Sequence, residues 1–327
     1  MKSEVNIEKF LEGKKVFCAT KLKQLENRIR NIKNLEKLSG ICIYVTGSYA
    51  RFEANKFSDL DIFLLKDGSV RKDKISKIDE ILLDAELIKI AREMEFGEFS
   101  NDGQYLEIHH IDDILENLGC SEDDYNNYFT ARMLLLLESY PLYNSALYEK
   151  MIRKIINSYF RDYHDHDKDF RPIFLVNDII RYYKTMCMNY EHKRNRPTAD
   201  TTAKAKAHLK NLKLKFSRLL TCYATILVLI QKKKTITPNN LTDIVKKTPI
   251  EKLRLVGKVD PKLLNEIMNL YIWFLKLMDQ PPTSILEWIS KKSNRDNAFT
   301  NGRKFHKKMY ELLKLVAHEK DLMYLTI

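Results

Sequence analysis

The sequence predicts an α+β fold, a small β-sheet with flanking helices followed by a mainly helical domain. Two short apolar runs, residues 41–45 and 60–65, lie between turn-forming residues in the first third of the chain. Beyond Asp112 the apolar residues recur almost throughout at helical spacing. Only 9 Gly and 8 Pro occur among 327 residues, too few for a turn-rich all-β chain.

Each element follows from its own pattern. Ile7, Phe10, Leu11, Val16, Leu22, Leu25 and Ile29 keep helical spacing, so residues 7–36 are expected to be a helix ended by Ser39-Gly40. Residues 1–37 therefore form an N-terminal helical segment. Residues 41–45, β-branched and flanked by Gly40 and Gly47, read as a buried strand, with a short helix starting at Ser48. The turn-like stretch 55–58 leads into a second buried strand at 60–65, which 66–69 closes. Residues 71–93 form a charged amphipathic helix, 101–103 a turn, and 105–110 alternate as a third strand. The region 38–120 is thus a small α/β domain carrying the candidate chemistry. Helices are expected over 125–140, 145–163, 172–192, 202–232, 260–278 and 302–323, making 121–327 a helical domain.

Composition bounds the function. Hydrophobic residues at 44% suffice for a sizeable core, and charged residues at 31% exclude a mainly membrane-embedded chain. The longest nearly unbroken apolar run, 219–230, contains Thr221 and Thr225 and falls short of the roughly 20 residues a bilayer needs. Residues 1–14 mix charges and lack the apolar stretch of a signal peptide. The five cysteines are scattered without a C-x-x-C pair, so neither disulfides nor a zinc site is expected, and the compartment predicted is the cytoplasm. The net charge is +12, and residues 181–234 alone hold 14 Lys or Arg against Glu191 and Asp200. Such a stretch suits nucleic acid, nucleotide phosphates or an acidic protein, or is a solvated helix face. Residues 102–124 are its opposite, with eight acids and no Lys or Arg.

The chemistry concentrates in one pattern: strand, Gly47-Ser48, ten residues, Asp59-Leu60-Asp61, strand. Two acids two positions apart on a strand leave the same face. They are hard oxygen donors suited to Mg²⁺. Gly47 allows close backbone approach to a phosphate, and the amide and hydroxyl of Ser48 offer donors to phosphate oxygens. A turn acid at Asp59 and an edge acid at Asp61 are the plain alternative. Ionised groups at the mouth of so apolar a run are costly without a partner, which favours the site.

Gly-Ser-Tyr-Ala-Arg at 47–51 and Ser-Asp-Leu-Asp at 58–61 resemble the polymerase-β-type nucleotidyltransferase superfamily. The stretches 129–139 and 174–182 are similar to bacterial proteins with a uridylyltransferase-like domain, related to the enzyme that modifies the PII signalling protein. The resemblance covers about residues 40–220. It implies a nucleotidyltransferase-type mixed sheet, Mg²⁺ or Mn²⁺ as cofactor and an NTP as donor. The PII-modifying enzyme also carries a His-Asp phosphohydrolase domain and regulatory domains, which a chain of 327 residues is not expected to hold. Residues 163–167, Tyr-His-Asp-His-Asp, read as a polar helix end rather than a metal site.

Such enzymes commonly place a third acid on a neighbouring strand. Tyr105, Glu107 and His109 would share one face of the third strand, which makes Glu107 the candidate third ligand or general base. Asp102 in the preceding turn is the other candidate, and a solvated acid the plain alternative. His109 and His110 are expected to be surface or structural. In the helical half Asn177, Arg181 and Lys184 share a helix face, with Lys213, Lys215, Ser217 and Arg218 on the next long helix. The resemblance implies that the helical domain packs over the nucleotide, with Arg181, Lys184, Lys215 and Ser217 as nucleotide contacts; an ordinary solvated basic face is the alternative.

The expected activity is metal-dependent transfer of a nucleoside monophosphate to an acceptor hydroxyl of a protein or RNA. Asp59, Asp61 and Glu107 would hold metal, and Gly47 and Ser48 the phosphates. Synthesis of an oligonucleotide signal and non-catalytic nucleotide binding are the alternatives. Residues 181–234 are the expected contact with an acceptor RNA or protein.

Overall fold

The computed structural model of the chain describes residues 2–33, 35–38, 40–69, 75–97, 106–165, 170–195, 200–231, 235–323 and 325. The fold is α+β, a four-stranded mixed sheet with flanking helices and a largely helical remainder. Two compact units emerge: a sheet unit of Phe10–Asp162 with Pro238–Thr248, and a helical unit of Met1–Lys9, Tyr163–Thr237 and Pro249–Ile327. Asp102 and Tyr105 lie outside the described residues.

The sheet unit begins with α1 (Lys2–Arg30), whose first residues belong to the helical unit. A short 3₁₀ turn at Leu35–Lys37 follows, so the helix ends earlier than its apolar spacing suggests. Then come β1 (Ile41–Thr46), α2 (Gly47–Ala50), β2 (Asp61–Lys66), α3 (Lys77–Glu93) and β3 (Ile108–His110). Ser76 caps α3 by accepting from Asp79 N at 3.1 Å, which sets its start. The short helices α4 (Ile111–Glu116) and α5 (Ser121–Tyr125) precede α6 (Tyr128–Leu137), β4 (Ser139–Tyr143) and α7 (Ser145–Ser158).

The strand order is β3-β2-β1-β4. β1 pairs antiparallel with both β2 and β4, and β2 pairs parallel with β3. Strand β4 corrects the expectation of one helix over 125–140. The Leu-rich run 133–137 is helical, but the chain breaks at Glu138 and supplies the partner that the exposed edge of β1 requires. Pro141 is tolerated because β4 is an edge strand, and the register shifts beside it. The third strand is shorter than its alternation suggests. Pairing with β2 starts at Leu64 opposite Ile108, and Glu107 stands exposed in the bend before it.

The two sheet faces carry different cores. Ile41, Ile43, Val45, Ile62 and Leu64 pack with Cys18, Leu22, Leu25 and Ile29 of α1 and with Leu83, Leu87 and Ile90 of α3. The other face is aromatic: Tyr44 stacks on Phe63 at 5.6 Å, and Phe63 on His109 at 6.3 Å. Tyr148 of α7 and Tyr128 of α6 cover them. At the far end of β2, Asp67 accepts from Lys150 and Lys154 of α7 at 2.6 and 2.8 Å. Helices α5 to α7 are joined by a buried ion pair. Arg132 donates from both terminal nitrogens to Asp123 at 2.7 and 2.8 Å and from Nε to Tyr159 at 2.8 Å.

The helical unit contains α8 (Ile173–Arg194), α9 (Thr201–Lys213), a π turn at Leu214–Arg218 and α10 (Leu219–Leu229). Chain order then gives α11 (Pro238–Val245), which belongs to the sheet unit, and α12 (Pro249–Gly257). After these come α13 (Pro261–Met278), α14 (Pro282–Ser290), α15 (Lys292–Val316) and α16 (Glu319–Met323). Phe216 of the π turn stacks between Phe274 and Phe305, each at 4.9 Å, at the centre of this unit. No described helix is long and apolar enough to cross a membrane.

Asp123→Ala leaves the Arg132 guanidinium buried without its carboxylate, and should lower the unfolding free energy by about 3–5 kcal/mol in urea titrations. Burial, aided by His110, pushes the pKa of His109 from 6.5 down to about 4. The unfolded chain therefore takes up this proton first as pH falls. The stabilisation is complete above pH 6.5 and is lost between 6.5 and about 4. The unfolding free energy should drop more steeply as pH falls through that window for the wild-type chain than for His109→Gln; parallel curves would contradict the burial argument.

Candidate active site

The pairing register assembles the site. Thr46, the last residue of β1, lies opposite Asp61, the first of β2. The chain therefore turns into Gly47 beside the Asp61 side chain. Gly47 has φ +72°, and a Cβ on it would stand 3.0 Å from Asp61 Oδ2. A side chain at 47 would meet both a left-handed backbone and a carboxylate oxygen, so glycine is required there. Helix α2 is a single turn, with Arg51 N donating to Gly47 O at 3.0 Å and Glu53 N to Ser48 O at 2.9 Å. Tyr49 and Ala50 face the core, while Ser48 stays half-buried at the turn.

The segment from Arg51 to Asp59 is held by side chains that the motif itself does not announce. Arg51 is buried and donates to Glu53 at 2.7 Å and to Glu138, the residue that ends α6. Glu53 and Glu138 are buried with it. Lys14, also buried, reaches from α1 to Ala54 O at 3.3 Å. The turn beyond closes on itself: Phe57 N donates to Asn55 Oδ1 at 2.8 Å and Asn55 N to Ser58 Oγ at 3.0 Å. This Asx turn delivers the chain to Asp59.

A second brace comes from the end of α3. Phe96 meets Tyr49 edge-on at 5.1 Å. Its neighbour Gly97 lies so close to the acid segment that a Cβ would be 2.9 Å from Ser58 O and 3.3 Å from Asp59 Oδ1. Lys21 of α1 fixes this corner, donating to Met94 O at 3.1 Å with its ammonium 5.5 Å from the Phe96 ring. One corner thus touches both halves of the motif, α2 through Tyr49 and the acids through Gly97.

Asp59 is exposed and Asp61 half-buried. Asp59 precedes the strand and Asp61 opens it, so the two acids sit at the strand mouth rather than both within its pleat. Among the described residues, no cluster of three or more His, Cys, Asp or Glu side chains suited to a metal ion forms. Glu107 is accordingly not brought together with the pair. The donor set still fits a magnesium-type ion, which takes one or two carboxylates and completes its shell with water and substrate phosphate. His109 and His110 are both buried.

The remaining candidates belong to the helical unit. Arg181 is half-exposed and lies 3.5 Å from Asp178, while Lys184 is exposed. Lys215 lies in the π turn with its aliphatic stem against Gly302. Ser217 is buried, and its hydroxyl donates to Lys213 O at 3.2 Å, back along its own helix.

The residues missed by sequence reading are Arg51, Glu53 and Glu138 in the buried charge cluster, and Phe96 and Gly97 in the corner. Arg51 and Glu53 were signalled by charge between two apolar runs, where an unpaired ion is costly. Nothing local marks Glu138 or Gly97, because their partners are distant in sequence.

Residues 22–118 match the family model of the nucleotidyltransferase domain, a span that contains the Gly-Ser turn, both acids and strands β1 to β3. A search of curated proteins finds no match to the chain.

The geometry at residue 47 is open to a direct test. Gly47→Ala should lower stability by about 1–2 kcal/mol from the left-handed backbone alone. Gly13→Ala, in the middle of α1 with no heavy atom within 4 Å of the new Cβ, should be neutral or stabilising by up to about 1 kcal/mol. Urea unfolding of the two variants side by side measures the difference.

Proposed function

We propose that the chain transfers a nucleoside monophosphate from an NTP to an acceptor hydroxyl on a protein or an RNA and releases pyrophosphate. The observation that carries this reading is the register of Thr46 against Asp61, which sets the Gly47-Ser48 turn beside the acid pair. The match of residues 22–118 to the nucleotidyltransferase domain supports it independently.

Each residue has a role in this proposal. Asp59 and Asp61 hold the divalent ion, Mg²⁺ or Mn²⁺. When bound, that ion supplies charge neutralisation at the phosphates and lowers the proton affinity of an attacking hydroxyl. Gly47, lacking a side chain, leaves the backbone open to the triphosphate. Ser48 offers its hydroxyl to the outgoing β- and γ-phosphates. The acceptor oxygen attacks the α-phosphorus, the bond to the β-phosphate oxygen breaks, pyrophosphate departs, and the hydroxyl proton passes to solvent. Arg51 and Gly97 touch no substrate in this scheme; they position the turn and the acids.

Pyrophosphate release from each NTP with Mg²⁺ or Mn²⁺, with and without cell extract as acceptor source, tests the proposal. Asp59→Asn and Asp61→Asn should each lower turnover by about a hundredfold or more, the scale of losing one group that stabilises developing charge. Their circular dichroism and urea midpoints should stay near those of the unchanged chain. Undiminished release in the double variant would sink the assignment. Nucleotide binding without release by the unchanged chain would mark it instead as a non-catalytic binder.

A further inference from the structure

Helix α9 gives the helical unit a feature that phosphoryl chemistry at the strand mouth does not use. It carries Lys204, Lys206, Lys210 and Lys213 and no acidic residue, and all four lysines are exposed. Ala205 and Leu212 turn another side inward. Lys206, Lys210 and Lys213, at i, i+4 and i+7, form one outward ridge about 10 Å long at the helical rise per residue.

The neighbouring helices continue the positive field. His208, about 200° round α9 from Lys206, lies against Phe299 of α15 and feels the charges of Arg295 of α15 and Arg194 of α8. Lys215 presses its stem on Gly302, where a Cβ would be 3.0 Å from its Cδ, and its charge acts on His306. Arg303, Lys304 and Lys307 are exposed on the same helix. The opposing acids in this region are few: Glu191 pairs with Arg194 at 2.8 Å, Glu287 of the neighbouring α14 lies 4.0 Å from Lys291, Asp200 caps α9, and Asp296 is exposed on α15.

Several lysines elsewhere stand beside carboxylates. Lys150 and Lys154 meet Asp67, Lys246 meets Glu149, and Lys308 meets Glu266 and Glu311. Among the described residues no ion pair engages Lys204, Lys206 or Lys210. Lys206 and Lys210 stand one helical turn apart, where like charges destabilise a helix. A polyanion would relieve that repulsion.

The chemistry selects among polyanions. No exposed large hydrophobic residue lies on α9, so the ridge has nothing to insert into a lipid surface. Flat carboxylates pair best with the arginine fork, whereas lysine is a point charge suited to phosphate. We infer that the lysine ridge of α9 binds the phosphodiester backbone of a nucleic acid. This sharpens the acceptor side of the proposed reaction and rests on that reading only for its consequence. The binding itself requires no transfer chemistry.

Equilibrium binding without NTP keeps the two apart. The full chain is titrated against fluorescein-labelled single-stranded RNA, and separately DNA, by fluorescence anisotropy over a series of KCl concentrations. Binding should weaken linearly in log salt. The double variant Lys206→Ala/Lys210→Ala should bind about tenfold more weakly, with a salt slope shallower by about 1.4, as for two lost phosphate contacts on a single strand. The charge-matched control Lys89→Ala/Lys258→Ala, exposed on α3 and beyond α12, should bind as the unchanged chain does. Preference for RNA or DNA identifies the source of the backbone. No binding, equal loss in both variants, or tighter binding to a polyglutamate peptide or phosphatidylserine vesicles would overturn the inference. None of these outcomes bears on pyrophosphate release.

Discussion

Antiparallel pairing of β1 with β2 is the constraint on which the sheet unit depends. Side chains alternate along a strand, so a slip of one residue would carry every core residue to the wrong face. Here the hydrophobic sets of both strands agree on one register, with Ile43, Val45, Ile62 and Leu64 all directed toward α1 and α3. That agreement leaves no freedom at the strand ends. Thr46 must stand beside Asp61, and the next residue must turn away in a left-handed conformation against a carboxylate. The core therefore sets the distance between the Gly47-Ser48 turn and the acid pair, and the site inherits the rigidity of the sheet.

Such a site concentrates negative charge at the edge of an apolar core, and the surrounding residues answer that problem. The buried Arg51 lies between Glu53 and Glu138, with Lys14 close by on α1. A buried ion pair adds little net stability when its desolvation is counted, and removing one member is far more costly than never having it. Its value here is geometric. Glu138 ends α6 and opens β4, so its link to Arg51 joins the turn after Gly47-Ser48 to the strand that closes the edge of β1. The Phe96-Gly97 corner supplies the matching restraint from the opposite flank.

These relations explain what sequence could and could not show. The α+β class, the two central strands, the long helices and the Gly-Ser to Asp-x-Asp pattern were all legible, because each depends on residues close together in the chain. Strand β4 was not. Its five residues include a proline and follow a leucine-rich helix, and only the unpaired edge of β1 explains why they extend. Glu107 was placed by an alternation that the chain abandons one residue before the strand begins. Ser217 is expected from the resemblance as a nucleotide contact, yet it is buried in the π turn and bonds its own helix. For β4 a pairing with a distant strand decided the outcome over local pattern.

Charge is handled in two ways in this chain, and the difference bears on function. In the sheet unit, buried ions are matched: Arg51 to Glu53 and Glu138, Arg132 to Asp123. On its surface Lys150 and Lys154 both meet Asp67. On α9, Lys204, Lys206 and Lys210 stand on a surface with few acids, and the repulsion between Lys206 and Lys210 works against the helix that bears them. A protein stable by only a few kcal/mol per hundred residues has little reason to keep such repulsion on a ridge that Glu substitutions would quiet. Matched charge serves to hold a geometry still. Unmatched charge on a rigid helix serves to attract something mobile, and a chain that carries both has the elements of a reaction site and of a surface for a charged partner.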